Sequence, residues 1–299
     1  MTEPIVFPRL DELATSTIEN LGSKASALRN LSAQGFRIPP GFVITATVLG
    51  DLGDQLDAKL QKAASDIGPG PFAVRSSAAS EDLPGASYAG MYETYLNVDL
   101  AGLGDAVRRG FESAAGQRVA AYDNNRKPLG TQDSSLSGMA ILVQQMVSAV
   151  AAGVAFTANP LTGSRDETIV TAVRGLGEPL VSGDSVGEQW TVDGGRAIRT
   201  RTGEVAITQQ QALEVAELAR SVEAHFETPQ DIEWAIDNNK GLFLLQARPM
   251  TALPDPVEWV APGPGLWSRN FRIGEWLPEA MTPLFADWLL PRIESGYLD

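Results

Sequence analysis

Towards the C-terminal end of the 299-residue chain, QDIEWAID and GLFLLQAR flank Asn238-Asn239-Lys240 and read as the two arms of a β-hairpin. A turn over 238 to 241 makes Asp237 face Leu242, pairs Glu233 with Gln246, and pairs Asp231 with Arg248. Directly opposed residues share a face with Cβ atoms roughly 5 Å apart, so a carboxylate and an amide oxygen converge beside an arginine. The alternate residues, Ile232, Trp234 and Ile236 with Phe243, Leu245 and Ala247, form an apolar face. Two oxygen donors next to a guanidinium suit a Mg2+ ion holding phosphates, since that ion takes one or two protein oxygens and completes its shell from the phosphates. The competing reading is a solvated hairpin face carrying an Asp231–Arg248 ion pair.

Two further cations stand in informative contexts. Lys24 lies in LGSKASALRNLSAQGF, a helix for which Ser23 can act as N-cap, Ala27, Leu28 and Leu31 give the apolar spacing, and Gly35 marks the stop. A cation in the first turn is opposed by the helix dipole, but a bound anion reverses the sign, and Gly22, the free N–H groups and Lys24 then make a phosphate seat. A solvent-facing lysine is the alternative. Arg75 emerges from Phe72-Ala73-Val74 into SSAASEDLPGASYAG, whose small residues let backbone approach a ligand. At a strand end its guanidinium can clamp phosphate oxygens, with Glu81 and Asp82 to orient it; a polar surface loop is the alternative. The single histidine, His225, near a helix C-terminus, reads as structural.

Composition narrows the chemistry. Twenty-three basic residues against 37 acidic ones give a net charge of −14, which argues against nucleic acid or an anionic membrane as the main partner. With no cysteine and one histidine, a disulfide framework and a thiolate site are excluded and a zinc site is disfavoured, leaving a hard cation held by oxygens. No apolar run approaches the roughly 20 residues that span a bilayer. The N-terminus, MTEPIVFPRLDE, lacks signal-peptide regions, so a cytoplasmic location is expected. Neither G-x-x-x-x-G-K-[ST] nor a strand-linked G-x-G-x-x-G occurs, and there is no nucleophile elbow or H-E-x-x-H.

The elements that must position these groups follow from periodicity and punctuation. After the Lys24 helix come a strand over 42–45, a helix over 49–67, a strand ending near Arg75, a strand over 91–98 and a helix over roughly 101–123. From about residue 136 the chain turns to short β runs: ILVQQMV (141–147) and GVAFTANP (153–160) in a hairpin-like arrangement, then 167–173 and 188–193 around the glycine-rich GLGEPLVSG. Thr208 with Gln211 makes a capping box for a helix to about His225. The expected class is α+β, with a mixed N-terminal lobe (1–135) and a mainly antiparallel C-terminal lobe (136–253).

Seven stretches, LGSKASAL, IPPGFVIT, FAVRSSAASEDLPGASYAGMYETYLNV, ILVQQMV, GVAFTANPLTG, RGLGEPLVSG and QDIEWAID with LLQARPMT, occur in that order over residues 18–252. Together they resemble the ATP-binding domain shared by pyruvate phosphate dikinase, phosphoenolpyruvate synthase and rifampin phosphotransferase. The resemblance implies an ATP-grasp fold over 1–253, with ATP and Mg2+ as cofactors. Residue by residue it implies phosphate contacts from Lys24, Arg75 and Arg248, nucleotide contacts from Gly90 and Thr94, an adenosine-side contact from Gln144, and magnesium ligands in Glu233 and Gln246. The segment from 74 to 90 resembles an arm that folds over the phosphates.

The same resemblance implies an ATP-dependent phosphotransferase of the dikinase type. ATP is cleaved to AMP and phosphate, and a phosphoryl group travels on a histidine of a separate swivelling domain to an acceptor. His225 sits in EAHFETPQDIEW rather than in a carrier motif, so the chain is expected to bind ATP without completing transfer alone. LWSRNFRIGEWLPEAMTPLF (266–285) resembles the start of the acceptor-binding domain of the rifampin phosphotransferases. Residues 254–299 are therefore expected to be a linker and the beginning of that domain, with the stripe of Leu284, Phe285, Trp288 and Leu289 packed on it or on the ATP domain. The leading expectation is thus a rifampin-type, antibiotic-resistance enzyme. The alternatives are a phosphoenolpyruvate synthase fragment and a regulatory nucleotide-binding module without turnover. Ser23, where a second glycine is common, and Gly187-Glu188, in place of a Pro-Asp pair, depart from the family pattern.

Overall fold

A computed structural model describes residues 7–12, 21–78, 94–123, 139–251 and 253–254. The chain divides into two compact units, Met1–Val257 and Glu258–Asp299, and every described residue belongs to the first. Gly90, Glu81, Asp82 and the segment leading to Thr94 lie outside the described residues, as does the apolar stripe of the tail.

The first sheet is built from β1 (Gly41–Thr45), β2 (Phe72–Ala78), β3 (Thr94–Val98) and β4 (Met139–Gln145), in the order β1-β4-β2-β3 with every pairing antiparallel. Its helices are α1 (Gly22–Ala33), α2 (Ala46–Leu52), α3 (Leu56–Ile67) and α4 (Leu103–Asp123). Leu60, Leu103, Val107 and Phe111 of α3 and α4 pack on one face of the sheet, and Ala25 and Leu28 of α1 pack on the other.

The second sheet contains β5 (Ala149–Phe156), β6 (Thr168–Arg174), β7 (Glu188–Asp193), β8 (Arg196–Arg201), β9 (Gln230–Asp237) and β10 (Leu242–Pro249), in the order β10-β9-β5-β6-β7-β8, again antiparallel throughout. A short α5 (Glu178–Val181) occupies the glycine-rich bend, and α6 (Gln209–Phe226) covers one face with Ala212, Val215, Ala219 and Val222. The capping box holds: Thr208 Oγ1 accepts from Gln211 N–H at 3.2 Å, and Gln211 Oε1 accepts from Thr208 N–H at 2.9 Å. The fold is therefore α+β with two lobes, as expected.

Two expectations are corrected. The hairpin between 141–147 and 153–160 does not form, because β4 inserts between β1 and β2 while β5 lies between β9 and β6. The chain passes from one sheet to the other at residues 146–148, so Met139–Gln145 belongs to the first sheet. The reason is burial on both faces: Ile141 and Val143 enter one core cluster while Ala140 and Leu142 enter another, and a strand apolar on both sides belongs at the centre of a layered structure. β8 was not foreseen. It carries three arginines in six residues and forms the sheet edge, where charge discourages further pairing.

Candidate functional site

The N-terminal wall begins where α1 meets β2. Ser23 does not cap the helix. The cap comes from Ser77, fully buried, whose Oγ accepts the Ala25 N–H at 3.2 Å and donates to the Leu21 carbonyl at 2.9 Å. Gly22 permits this approach, since it adopts φ +73° and a Cβ there would collide with the carbonyl and hydroxyl of Ser77. Helix and strand are thereby fixed together, and Lys24 Nζ donates to the Ser76 carbonyl at 3.3 Å. On β2, Arg75 lies opposite Thr94 of β3 on one side and Leu142 of β4 on the other. Gln144 of β4 is buried and donates from Nε2 to the Pro39 carbonyl at 3.4 Å.

The opposite wall is the β9–β10 hairpin. At its working end the pairing is as read from the sequence: Gln246 faces Glu233 and Arg248 faces Asp231. Nearer the turn the register differs by one, so Leu242 faces Ile236 rather than Asp237. Asp237 closes the turn itself, its N–H donating to the Gly241 carbonyl at 3.0 Å and its Oδ1 accepting from the N–H groups of Asn239 and Gly241 at 2.9 and 2.6 Å. A bulge at Leu245 absorbs the difference. The apolar face consequently uses Leu242, Leu244 and Ala247 rather than Phe243, Leu245 and Ala247. Leu245 turns instead to the cleft.

Lys24, Arg75, Thr94, Gln144, Glu233, Gln246 and Arg248 all line one cleft of about 500 Å³, a volume in the range of small-molecule sites. Arg75 crosses it: Nη1 lies 3.2 Å from Glu233 Oε2 and donates to Gln246 Oε1 at 3.3 Å, while its buried Nε has no hydrogen-bond partner among the described residues. Arg248 Nε and Nη2 both contact Asp231 Oδ2, at 2.8 and 2.7 Å. Burial pushes the Asp231 carboxyl above the ordinary aspartate range, and desolvation outweighs the attraction of Arg248. His225 is exposed in the last turn of α6, edge-on to Phe226 at 4.9 Å, and does not line this cleft.

Several lining residues escaped the sequence reading. Leu96, Met146, Leu176 and Leu245 give the cleft an apolar side, and Glu178 and Ser182 contribute polar groups from the α5 region. RGLGEPLVSG was the available signal for the last two, but nothing in its spacing says which side chains face inward. The Gly187-Glu188 departure has a clear geometry. Gly187 adopts φ +64°, which proline cannot reach, and buried Glu188 accepts the Ala206 and Ile207 N–H groups at 2.9 and 2.8 Å.

Among the described residues, no group of three or more His, Cys, Asp or Glu converges on a point, and no helix is long and apolar enough to cross a membrane. The donor set at the cleft is different in kind: one carboxylate and one amide oxygen already meet on a single cationic nitrogen. Such a pair fits a hard divalent ion whose remaining ligands come from phosphates.

The fold is thus α+β, two antiparallel sheets with cations and oxygen donors from distant segments lining one cleft. Residues 48–204 and 196–260 match the pyruvate phosphate dikinase AMP/ATP-binding domain, and the chain belongs to that family. A rifampicin phosphotransferase from a Streptomyces species is 38% identical over 210 residues, covering 61% of this chain and 24% of that protein. A probable phosphoenolpyruvate synthase from Pyrococcus abyssi is 36% identical over 222 residues, covering 61% of this chain and 26% of that protein. The chain thus spans about a quarter of the length of these relatives. Among solved structures, N5-carboxyaminoimidazole synthase from Aspergillus clavatus, in complex with ADP and 5-aminoimidazole ribonucleotide, is similar with TM-score 0.41 and 12% identity, covering 76% of this chain and 44% of that one.

Proposed function

We propose that the cleft binds Mg-ATP as the first station of a dikinase-type phosphotransferase. The observation that carries the reading is convergence: seven residues from α1, β2, β3, β4, β9 and β10 line one cavity. In this reading Lys24, Arg75 and Arg248 hold the triphosphate, Gly90 and Thr94 make nucleotide contacts, Gly90 from an arm over the phosphates, and Gln144 contacts the adenosine side. Glu233 and Gln246 hold the magnesium ion. That ion would offset phosphate charge and orient the phosphates for in-line transfer.

Cationic groups preset around the cleft favour the charge that develops as a phosphoryl group leaves. The phosphoryl group passes to a histidine on a swivelling domain and from there to an acceptor, with residues 254–299 forming a linker and the start of an acceptor-binding domain. The identity to the Streptomyces enzyme and the tail motif favour a rifampicin-like acceptor. The nearly equal identity to the Pyrococcus protein supports a phosphoenolpyruvate synthase fragment as the second reading.

Calorimetry of ATP binding with and without magnesium tests the site. Wild type is expected to bind Mg-ATP more tightly than ATP, and Glu233→Ala to lose that difference with affinity reduced at least about tenfold. An undiminished magnesium effect in Glu233→Ala overturns the assignment. Adding a separately produced histidine domain and following AMP release then tests turnover.

A further inference from the structure

Arg75 occupies an unusual position for a phosphate clamp. Its Nη1 sits on the two oxygens assigned above to magnesium, Glu233 Oε2 at 3.2 Å and Gln246 Oε1 at 3.3 Å. The arginine side chain is 14% exposed, so the ion pair with Glu233 is largely shielded from water, and its buried Nε has no hydrogen-bond partner among the described residues. A buried N–H without an acceptor is a cost that persists until a ligand supplies one.

We propose that Arg75 is an internal counter-cation that occupies the metal ligands until nucleotide arrives, so that metal and triphosphate bind together rather than in either order. This rests on the Mg-ATP reading of the cleft. A divalent ion entering alone must displace a guanidinium from its ligands, and it then meets that guanidinium beside Lys24 and Arg248 with no new anion to balance them. A triphosphate entering with the ion removes both obstacles. Its oxygens accept from Arg75, including the unsatisfied Nε, and Glu233 and Gln246 are released to the metal. Arg75 therefore performs two tasks in sequence: it keeps the two oxygens converged and desolvated before nucleotide binds, and it becomes a phosphate ligand when they are needed elsewhere. A lysine would preserve the charge that meets the two oxygens but would lack the Nε–H that a phosphate oxygen can accept from.

The experiment measures Mn2+ binding to the full chain without nucleotide, by loss of the free-ion paramagnetic resonance signal. Arg75→Met keeps the side-chain volume and removes the charge; it is expected to bind Mn2+ about tenfold more tightly than wild type, while binding ATP more weakly. Arg75→Lys is expected to stay within about twofold of wild type for Mn2+ alone, because the repelling charge remains. Adding Glu233→Ala to Arg75→Met is expected to abolish the gain, which locates it at this site. Nucleotide-free Mn2+ affinity in Arg75→Met no greater than in wild type overturns the inference, and so does a gain that survives loss of Glu233. Arg75→Gln replaces the Met variant if thermal unfolding shows the latter to be unfolded. The two readings separate cleanly. Failure of wild type to bind Mg-ATP removes the site assignment, whereas Glu233-dependent Mg-ATP binding with an unchanged Arg75→Met removes only the counter-cation role.

Discussion

The two walls of the cleft hold their polar side chains by different means. On the N-terminal wall, Lys24 donates to the Ser76 carbonyl and Gln144 to the Pro39 carbonyl, so a backbone acceptor helps to place each. On the hairpin wall the partners are ions: Arg248 grips Asp231, and Glu233 is met by Arg75 reaching across. A neutral partner gives up a cation to a phosphate at little cost, because a charge-assisted bond replaces a weaker one. An ionic partner fixes geometry more firmly but must be exchanged rather than released. Backbone contacts thus help to organise the N-terminal wall, and ion pairs the hairpin wall.

If that contrast is right, damage to the N-terminal wall should appear first as lost stability. The largest effect is expected at Gly22. Alanine there would have to keep φ +73° while its Cβ displaced the backbone of β2 at Ser77, and strain and overpacking each contribute on the order of 1–3 kcal/mol. Gly22→Ala is expected to lower the urea unfolding free energy by about 3 kcal/mol and to weaken ATP binding, since Lys24 moves with the helix. Stability within about 0.5 kcal/mol of wild type would show that α1 and β2 are not locked together.

The hairpin wall was the more legible of the two. Its functional pairs follow from a turn and a period of two, both of which are local, and even the misplaced turn end was corrected within the hairpin by one bulged residue. The N-terminal wall depends on contacts that no local pattern carries. Ser77 caps a helix 52 residues earlier in the chain, so the expected N-cap, Ser23, was chemically reasonable and wrong in place. β4 was misassigned for a related reason: its identity as a central strand is set by the two layers that enclose it, and five apolar residues in a row, Met139 to Val143, leave no alternation to read. The fold class and the charged cleft residues Lys24, Arg75, Glu233 and Arg248 were visible from residue type and order, whereas Glu178 was not. The apolar lining from Leu96, Met146 and Leu176 was not, because any of these could as well have been core.

A milder break of the N-terminal wall is Ser77→Ala. It leaves the Ala25 N–H and the Leu21 carbonyl without the hydroxyl that serves both, in a fully buried position. A lost cap or a buried unsatisfied group costs about 1–2 kcal/mol, and that decrease in unfolding free energy is expected. Hydrogen exchange should rise at the Ala25 amide while the hairpin amides remain protected. Uniform loss of protection across both walls would contradict their separate organisation.

The smallest stability effect, and the sharpest use of the comparison, is expected at Asp231. Its carboxylate is buried and pays for ionisation, while Arg248 is half-exposed and can be solvated when released. Asp231→Asn keeps the shape, removes the desolvated charge and loosens the guanidinium, so unfolding free energy should change by less than about 1 kcal/mol in either direction. Mg-ATP affinity should nevertheless fall about tenfold, because Arg248 no longer holds a fixed position over the phosphates. The combination runs opposite to Ser77→Ala, which weakens the fold more than it alters charge. Unchanged affinity in Asp231→Asn would mean that the ion pair belongs to the hairpin surface alone, and that Arg248 finds its phosphate without being held.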